Sequence, residues 1–160
     1  MSLKIGDSLP NSTFLIMTSD GPDKIDSGGF FAGRRIVLFS VPGAFTPACS
    51  ARHLPGFIDH ADEIMAKGID AIACTAVNDI FVLDAWGKGA DASNKVAMLS
   101  DGNGEFVAKI GLANDLSAYG MGVRGERFSM IVNNGIVEQI NVENPGEFNV
   151  SSAEYLIDRL

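Results

Sequence analysis

Cysteine is scarce in this sequence: Cys49 and Cys74 are the only two in 160 residues. Two thiols in a chain of this length do not make a disulfide framework, so each is either chemically active or simply packed. Basic residues are also few, 12 against 20 acidic ones for a formal charge of −8. Only Arg34-Arg35 and Arg124/Arg127 lie close together in sequence. A nucleic-acid surface or an anionic-membrane surface needs clustered Lys and Arg, so neither partner is expected. No apolar run approaches the roughly 18 residues needed to cross a bilayer. The opening Met1-Ser2-Leu3-Lys4-Ile5-Gly6-Asp7 has neither a signal-peptide core nor an Arg-rich amphipathic stretch. A cytoplasmic location is the resulting expectation. His53 and His60 lie seven apart on one predicted helix, and two histidines without further ligands make a poor metal site. No metal is expected.

What is present is a folded α/β pattern. Hydrophobic residues make up 46% of the chain and charged ones 20%, a balance that favours a packed core over disorder. With no repeat, linker or low-complexity tract, residues 1–160 read as a single domain. Residues 13–17 read as a strand, 19–23 as a turn, and Gly28-Gly29 with Gly33 as a loop. The continuously apolar Ile36-Val37-Leu38-Phe39 predicts a strand covered on both faces. A helix is predicted from Pro47 to about Lys67, bent at Pro55 and stopped by Gly68. Residues 69–77 form the next strand, which completes a parallel βαβ unit. Asn78 is read as the cap of a helix running to about Trp86 and ended by Gly87-Lys88-Gly89. A strand at 96–100 and a short helix at 105–110 follow. The two runs flanking Asn133-Asn134-Gly135 predict a hairpin, and Ser151 or Ser152 caps a last helix over 153–160.

The chemistry gathers at one helix start. Thr46, Pro47, Ala48 and Cys49 read as N-cap, N1, N2 and N3. Thr is a good cap and Pro at N1 is preorganised for helix. In a capping box the N3 position carries an anion; here Cys49 holds it. A thiolate there faces free backbone N–H groups and the positive end of the helix dipole. It also lies where a buried parallel strand ends, the edge at which open α/β sheets bind ligands. The plainer alternative is that Cys49 is a small packed residue and Thr46 only a cap.

The pattern Pro42-x-x-x-Thr46-x-x-Cys49 resembles the active-site signature of the peroxiredoxins. The longer string Val41-Pro42-Gly43-Ala44-Phe45-Thr46-Pro47-Ala48-Cys49-Ser50, followed by His53-Leu54-Pro55-Gly56-Phe57, is similar to their type II (type five) subfamily. Further matches are Val77-Asn78-Asp79, Ala85-Trp86-Gly87-Lys88, Arg127-Phe128-Ser129-Met130 and the run from Gly146 to Ser152. The resemblance implies a thioredoxin-like fold, a central mixed sheet flanked by helices. It also implies reduction of hydrogen peroxide and alkyl hydroperoxides without metal, haem or other cofactor, in the service of antioxidant defence and redox homeostasis. By resemblance Cys49 is the peroxidatic nucleophile that passes through a sulfenic acid. Thr46 hydrogen-bonds sulfur and peroxide, Pro42 shields the sulfenate, and Arg127 is the family arginine. Gly43, Phe45 and Ala48 are assigned to the peroxide-binding segment. From the residues alone, Arg127 reads first as an edge-strand surface charge.

Some members of the subfamily carry a second cysteine near the C-terminus; here Val150-Ser151-Ser152-Ala153 has none. Cys74 lies within a predicted strand and reads as a buried, poorly nucleophilic thiol, with a secondary redox role left open. An external thiol is therefore expected to recycle Cys49, glutathione with glutaredoxin before thioredoxin. The resemblance also implies a homodimer, with Phe45 and Trp86 as candidate contacts or core residues. His53 is expected to be a spectator near the rim and His60 a solvated residue. Gly120-Met121-Gly122-Val123-Arg124-Gly125 spells a dinucleotide fingerprint but precedes a strand, so nucleotide binding is not expected. A disulfide oxidoreductase is the competing class, and it would want a cysteine where Arg52 stands.

Overall fold

The computed structural model describes residues 2–160, with the side chain of Cys49 outside the described residues. In chain order the first elements are β1 (Thr13–Thr18), β2 (Gly21–Asp26), α1 (Ser27–Phe31) and β3 (Arg35–Ser40). A π-helical turn (Cys49–His53), α2 (Leu54–Asp59), α3 (Ala61–Ala66) and β4 (Ala71–Ala76) follow. Next come α4 (Ile80–Gly89), β5 (Ala97–Ser100), α5 (Glu105–Lys109), β6 (Ala113–Asp115) and β7 (Val123–Gly125). The hairpin β8 (Phe128–Asn133) and β9 (Ile136–Val142) precedes α6 (Ala153–Ile157).

Seven strands form one mixed sheet in the order β2-β1-β5-β4-β3-β8-β9. β3, β4 and β5 run parallel, and β8 lies antiparallel on β3. Because β3 and β4 are central, both their faces are covered, which is why their sequences are apolar without alternation. Val37, Phe39, Ile72 and Cys74 pack against Leu54, Phe57, Leu83 and Leu156 of the helices on one face. Ile36, Leu38 and Ala73 pack against Phe31, Phe106 and Val107 on the other. Phe39 and Phe57 stack with ring centroids 4.2 Å apart. Burying one such ring contributes about 2–3 kcal/mol. The Asn134-Gly135 turn has both residues at positive φ, 49° and 79°, the mirror-image turn whose twist matches a hairpin.

Four local expectations are corrected. Residues 21–23, expected within a turn over 19–23, instead begin the edge strand β2; an edge tolerates Pro22 and exposed charge because one side needs no ladder partner. The Gly28-Gly29 segment is a short helix. Asn78 does not cap α4: Asp79 does, its carboxylate accepting from Val82 N–H at 2.9 Å, and α4 runs through Gly87 to Gly89. The long helix from Pro47 is divided into a π-helical turn, α2 and α3. Pro55 lacks an N–H and its ring crowds the carbonyl four residues back, so a regular α-helix through it is disfavoured. Gly68, at φ +91°, ends α3 as expected.

Candidate active site

The segment 41–46 leaves the C-terminal end of β3 and is fixed from three sides. Asn78, just past β4, accepts from Ala44 N–H at 2.9 Å. Arg124 donates from Nη1 to Pro42 O at 3.3 Å and from Nε to Met121 O at 2.8 Å. Thr46 donates its hydroxyl proton to Gly43 O at 2.7 Å. A Cβ at Gly43 would lie 2.9 Å from Arg124 Nη1, so a larger residue there would displace that guanidinium. Phe45 sits at φ +64° with its ring 61% exposed. A left-handed conformation at a bulky residue costs about 1–3 kcal/mol, and its own exposed ring does little to offset that. The strain persists because both neighbours are pinned.

Thr46 then opens the helix, its carbonyl accepting from Ser50 N–H at 2.9 Å. The first-turn amides that come next have no i−4 carbonyl within the helix and point outward as donors. Since the Thr46 proton is committed to Gly43 O, the oxygen's lone pairs are what it offers beyond the turn. It is an acceptor there. Trp86, weighed as a dimer contact, is buried in the core and donates from Nε1 to Ser50 Oγ at 3.0 Å, bracing the turn from behind. Phe45, its companion, faces solvent.

Arg127 immediately precedes β8 and is half-buried, not a surface charge. Its Nη1 lies 2.8 Å from His53 Nδ1. His53 is fully buried, and its Nε2 lies 3.0 Å from Ser151 O. A carbonyl only accepts, so Nε2 carries the proton and Nδ1 is the lone pair that receives the guanidinium N–H. Burial first, then the Arg127 charge, lowers the His53 pKa to about 3, against the opposing bond to Ser151. His53 is thus neutral at ordinary pH. It is no spectator on the rim, which corrects the sequence reading. Ser151 is held in turn by Glu143, whose Oε2 accepts from Ser151 Oγ at 2.6 Å, Ser151 N–H at 2.9 Å and Asn149 N–H at 2.6 Å. Burial pushes the Glu143 carboxyl up, but those hydrogen bonds outweigh it and hold the pKa below the ordinary carboxylate value.

These elements bound a cleft of about 510 Å³ lined by Pro42, Ala48, Arg52, Tyr119, Arg127 and Phe148, among others. The structure thus brings Pro42, Ala48 and Arg127 together from distant parts of the chain. Gly43 and Thr46 stand in the turn behind Pro42, and Phe45 is not among the lining residues. The Cys49 side chain, the sequence's candidate nucleophile, lies outside the described residues; its backbone begins the π-helical turn. Cys74 is fully buried in β4 within the core. Sequence reasoning missed His53, Asn78 and Arg124. The His53 signal was its spacing of four from Cys49, and Arg124 was noticed only as a neighbour of Arg127.

Residues 4–157 match the family model described as Redoxin. The chain is 43% identical over 159 residues to Peroxiredoxin-2D of Arabidopsis thaliana, covering 99% of this chain and 98% of that one. It is 44% identical over 163 residues to the chloroplastic Peroxiredoxin-2E of the same plant, covering 99% of this chain and 70% of the relative. The crystal structure of reduced Prx3 from Vibrio vulnificus in complex with hydrogen peroxide superposes with a TM-score of 0.95 at 44% identity, covering 98% of each chain. The mixed sheet with helices on both faces is a thioredoxin-like fold.

Proposed function

We propose, for a chain that belongs to the redoxin family as a peroxiredoxin and is a thiol-dependent peroxidase, that Cys49 is the reacting thiolate at the cleft of Pro42, Ala48 and Arg127, beside the turn that carries Thr46. The observation that carries this reading is the convergence of Pro42, Ala48 and Arg127 on one cleft at the start of the Cys49 helix. The thiolate attacks one peroxide oxygen, an S–O bond forms as the O–O bond breaks, and the leaving oxygen departs as hydroxide or alkoxide to be protonated. Charge moves from sulfur to that oxygen. Donors fixed around it, the Arg127 guanidinium and the first-turn amides near Ala48, favour the transition state over the ground state. Arg127 also favours the thiolate over the thiol. Thr46, with its proton on Gly43 O, accepts from a peroxide O–H and so aligns it. Pro42 covers the site against water, while Gly43 and Phe45 shape the turn that presents it.

The sulfenic acid is then attacked by an external thiol, releasing water and leaving a mixed disulfide. A second thiol frees Cys49 and carries away the disulfide. Glutathione with glutaredoxin is the proposed reductant, before thioredoxin, because Cys74 is buried in the sheet and Ser151 and Ser152 stand in the C-terminal region. A homodimer is proposed from the exposed Phe45 and Phe81 at one end of the sheet, 61% and 65% accessible. No helix among the described residues is long and apolar enough to cross a membrane. The cytoplasm is the proposed compartment because a chain with only two cysteines in 160 residues suits reducing surroundings. The test is to mix reduced protein with stoichiometric hydrogen peroxide and locate the sulfenic acid by trapping and mass spectrometry. Fast oxidation confined to Cys49 is expected; slow oxidation spread over Cys49 and Cys74 alike refutes the assignment.

A further inference from the structure

We infer that His53 is a positioning residue of the peroxidase reaction: its neutral ring holds the Arg127 guanidinium in the cleft and is itself anchored through Ser151 to the Glu143 carboxylate. The inference rests on the peroxidase reading of the cleft. The ring is fully buried among Phe39, Phe57 and Phe148, with centroids 4.9, 5.6 and 5.0 Å away. For packing alone a fourth phenylalanine would serve among these rings, without the desolvation of two nitrogens. Both nitrogens are instead used, Nδ1 by Arg127 at 2.8 Å and Nε2 by Ser151 O at 3.0 Å.

The arrangement has a direction. Glu143 fixes Ser151 by two hydrogen bonds and accepts a third from the Asn149 amide, which closes the same turn. The Ser151 carbonyl fixes the tautomer and tilt of the ring. The ring then presents a lone pair, on a body that cannot rotate among three aromatic neighbours, to one guanidinium N–H. Arginine is a long side chain with much rotamer freedom to lose, so an acceptor fixed in advance confines where its charge lies. The charged groups around the ring are Arg127 itself, Glu143 behind Ser151, and Arg52, whose guanidinium lies 4.7 Å from the Phe148 ring centroid. Glu143 N–H also bonds Arg127 O at 3.0 Å. The guanidinium and the clamp that orients it are therefore tied to the same stretch of backbone.

The test is a double-mutant cycle of His53→Phe and Arg127→Gln, read by the rate of Cys49 oxidation with hydrogen peroxide and by ultraviolet titration of the thiolate. His53→Phe is expected to slow oxidation about tenfold through misplacement of the guanidinium, and to raise the thiolate midpoint. In the Arg127→Gln background the same change is expected to have no further effect on either readout. His53→Asn, whose side-chain oxygen lies close to the position of Nδ1, is expected to recover part of the rate. If His53→Phe does not fold, His53→Asn is carried through the same cycle. Equal slowing with and without Arg127 would mean a purely structural role and overturn the inference, as would wild-type behaviour of His53→Phe. A wild-type protein that leaves peroxide untouched would instead overturn the peroxidase reading itself.

Discussion

Replacing His53 by phenylalanine changes how stability depends on pH, by an amount set by the burial of the ring. The imidazole pKa falls from 6.5 to about 3 on folding, chiefly through burial and then through the Arg127 charge. The unfolded chain therefore takes up a proton between these two values that the folded chain refuses, and stability drops as pH falls through 6.5. The full gap corresponds to about 5 kcal/mol below the folded-state value, at 1.36 kcal/mol for each pKa unit. By about pH 5 the loss already reaches about 2 kcal/mol, whereas near pH 7.5 it is negligible. Urea unfolding of the wild type and of His53→Phe at these two pH values isolates the effect. His60, Asp101 and Asp115 titrate in both proteins and cancel in the difference. The wild type should be the more stable at the higher pH, where it keeps the Arg127 and Ser151 hydrogen bonds. That advantage should shrink by about 2 kcal/mol at the lower pH, or about 4–8 °C in Tm for a domain of this size. An advantage that stays constant within about 0.5 kcal/mol would mean that the ring is not held neutral, and the account of how it grips Arg127 would fail.

Three further substitutions test the cleft. Thr46→Val keeps the shape and loses the oxygen, so the rate of Cys49 oxidation should fall about 100-fold, while Thr46→Ser stays near wild type; stopped-flow kinetics decide, and an active Val variant would remove Thr46 from the site. Gly43→Ala places a Cβ 2.9 Å from Arg124 Nη1, so the guanidinium must leave Pro42 O. Oxidation should slow, with a stability loss of about 1 kcal/mol or less because the crowded atoms are the ends of side chains; an unchanged oxidation rate would contradict the role of that contact. Cys74→Ser buries a hydroxyl in an apolar layer and should cost about 1–3 kcal/mol by thermal melting. Turnover with external thiols should be retained, and its loss with every reductant in a folded variant would give Cys74 a part in resolution.

Much of the scaffold was readable because its signals are local. Ile36-Val37-Leu38-Phe39 gave a central strand, Asn133-Asn134-Gly135 a mirror-image turn, and Thr46-Pro47-Ala48-Cys49 a helix start. What escaped depends on partners far away in sequence. His53 meets Arg127 74 residues on and Ser151 98 residues on, and nothing in the flanking residues separates such a ring from a surface one. Asn78 and Asp79 are both good caps, and only the place of Ala44 in space commits Asn78 to the loop and leaves the helix to Asp79. β2 carries Pro22, Asp23 and Lys24, a composition that reads as turn until an edge position makes it acceptable. The left-handed Phe45 is likewise invisible, because its neighbour Ala44 is pinned by Asn78, 34 residues on.

The π-helical turn makes the helix one residue longer than regular winding requires. Excising one position from this stretch would let the coil close up into regular winding, the flanking turns keeping the faces they present now while the residues within the turn change places along it. Such a shortened chain should wind more comfortably, but it would lose the offset that this turn sets between the backbone of Cys49 and His53. The bulge is a place where regularity and reactivity pull in opposite directions.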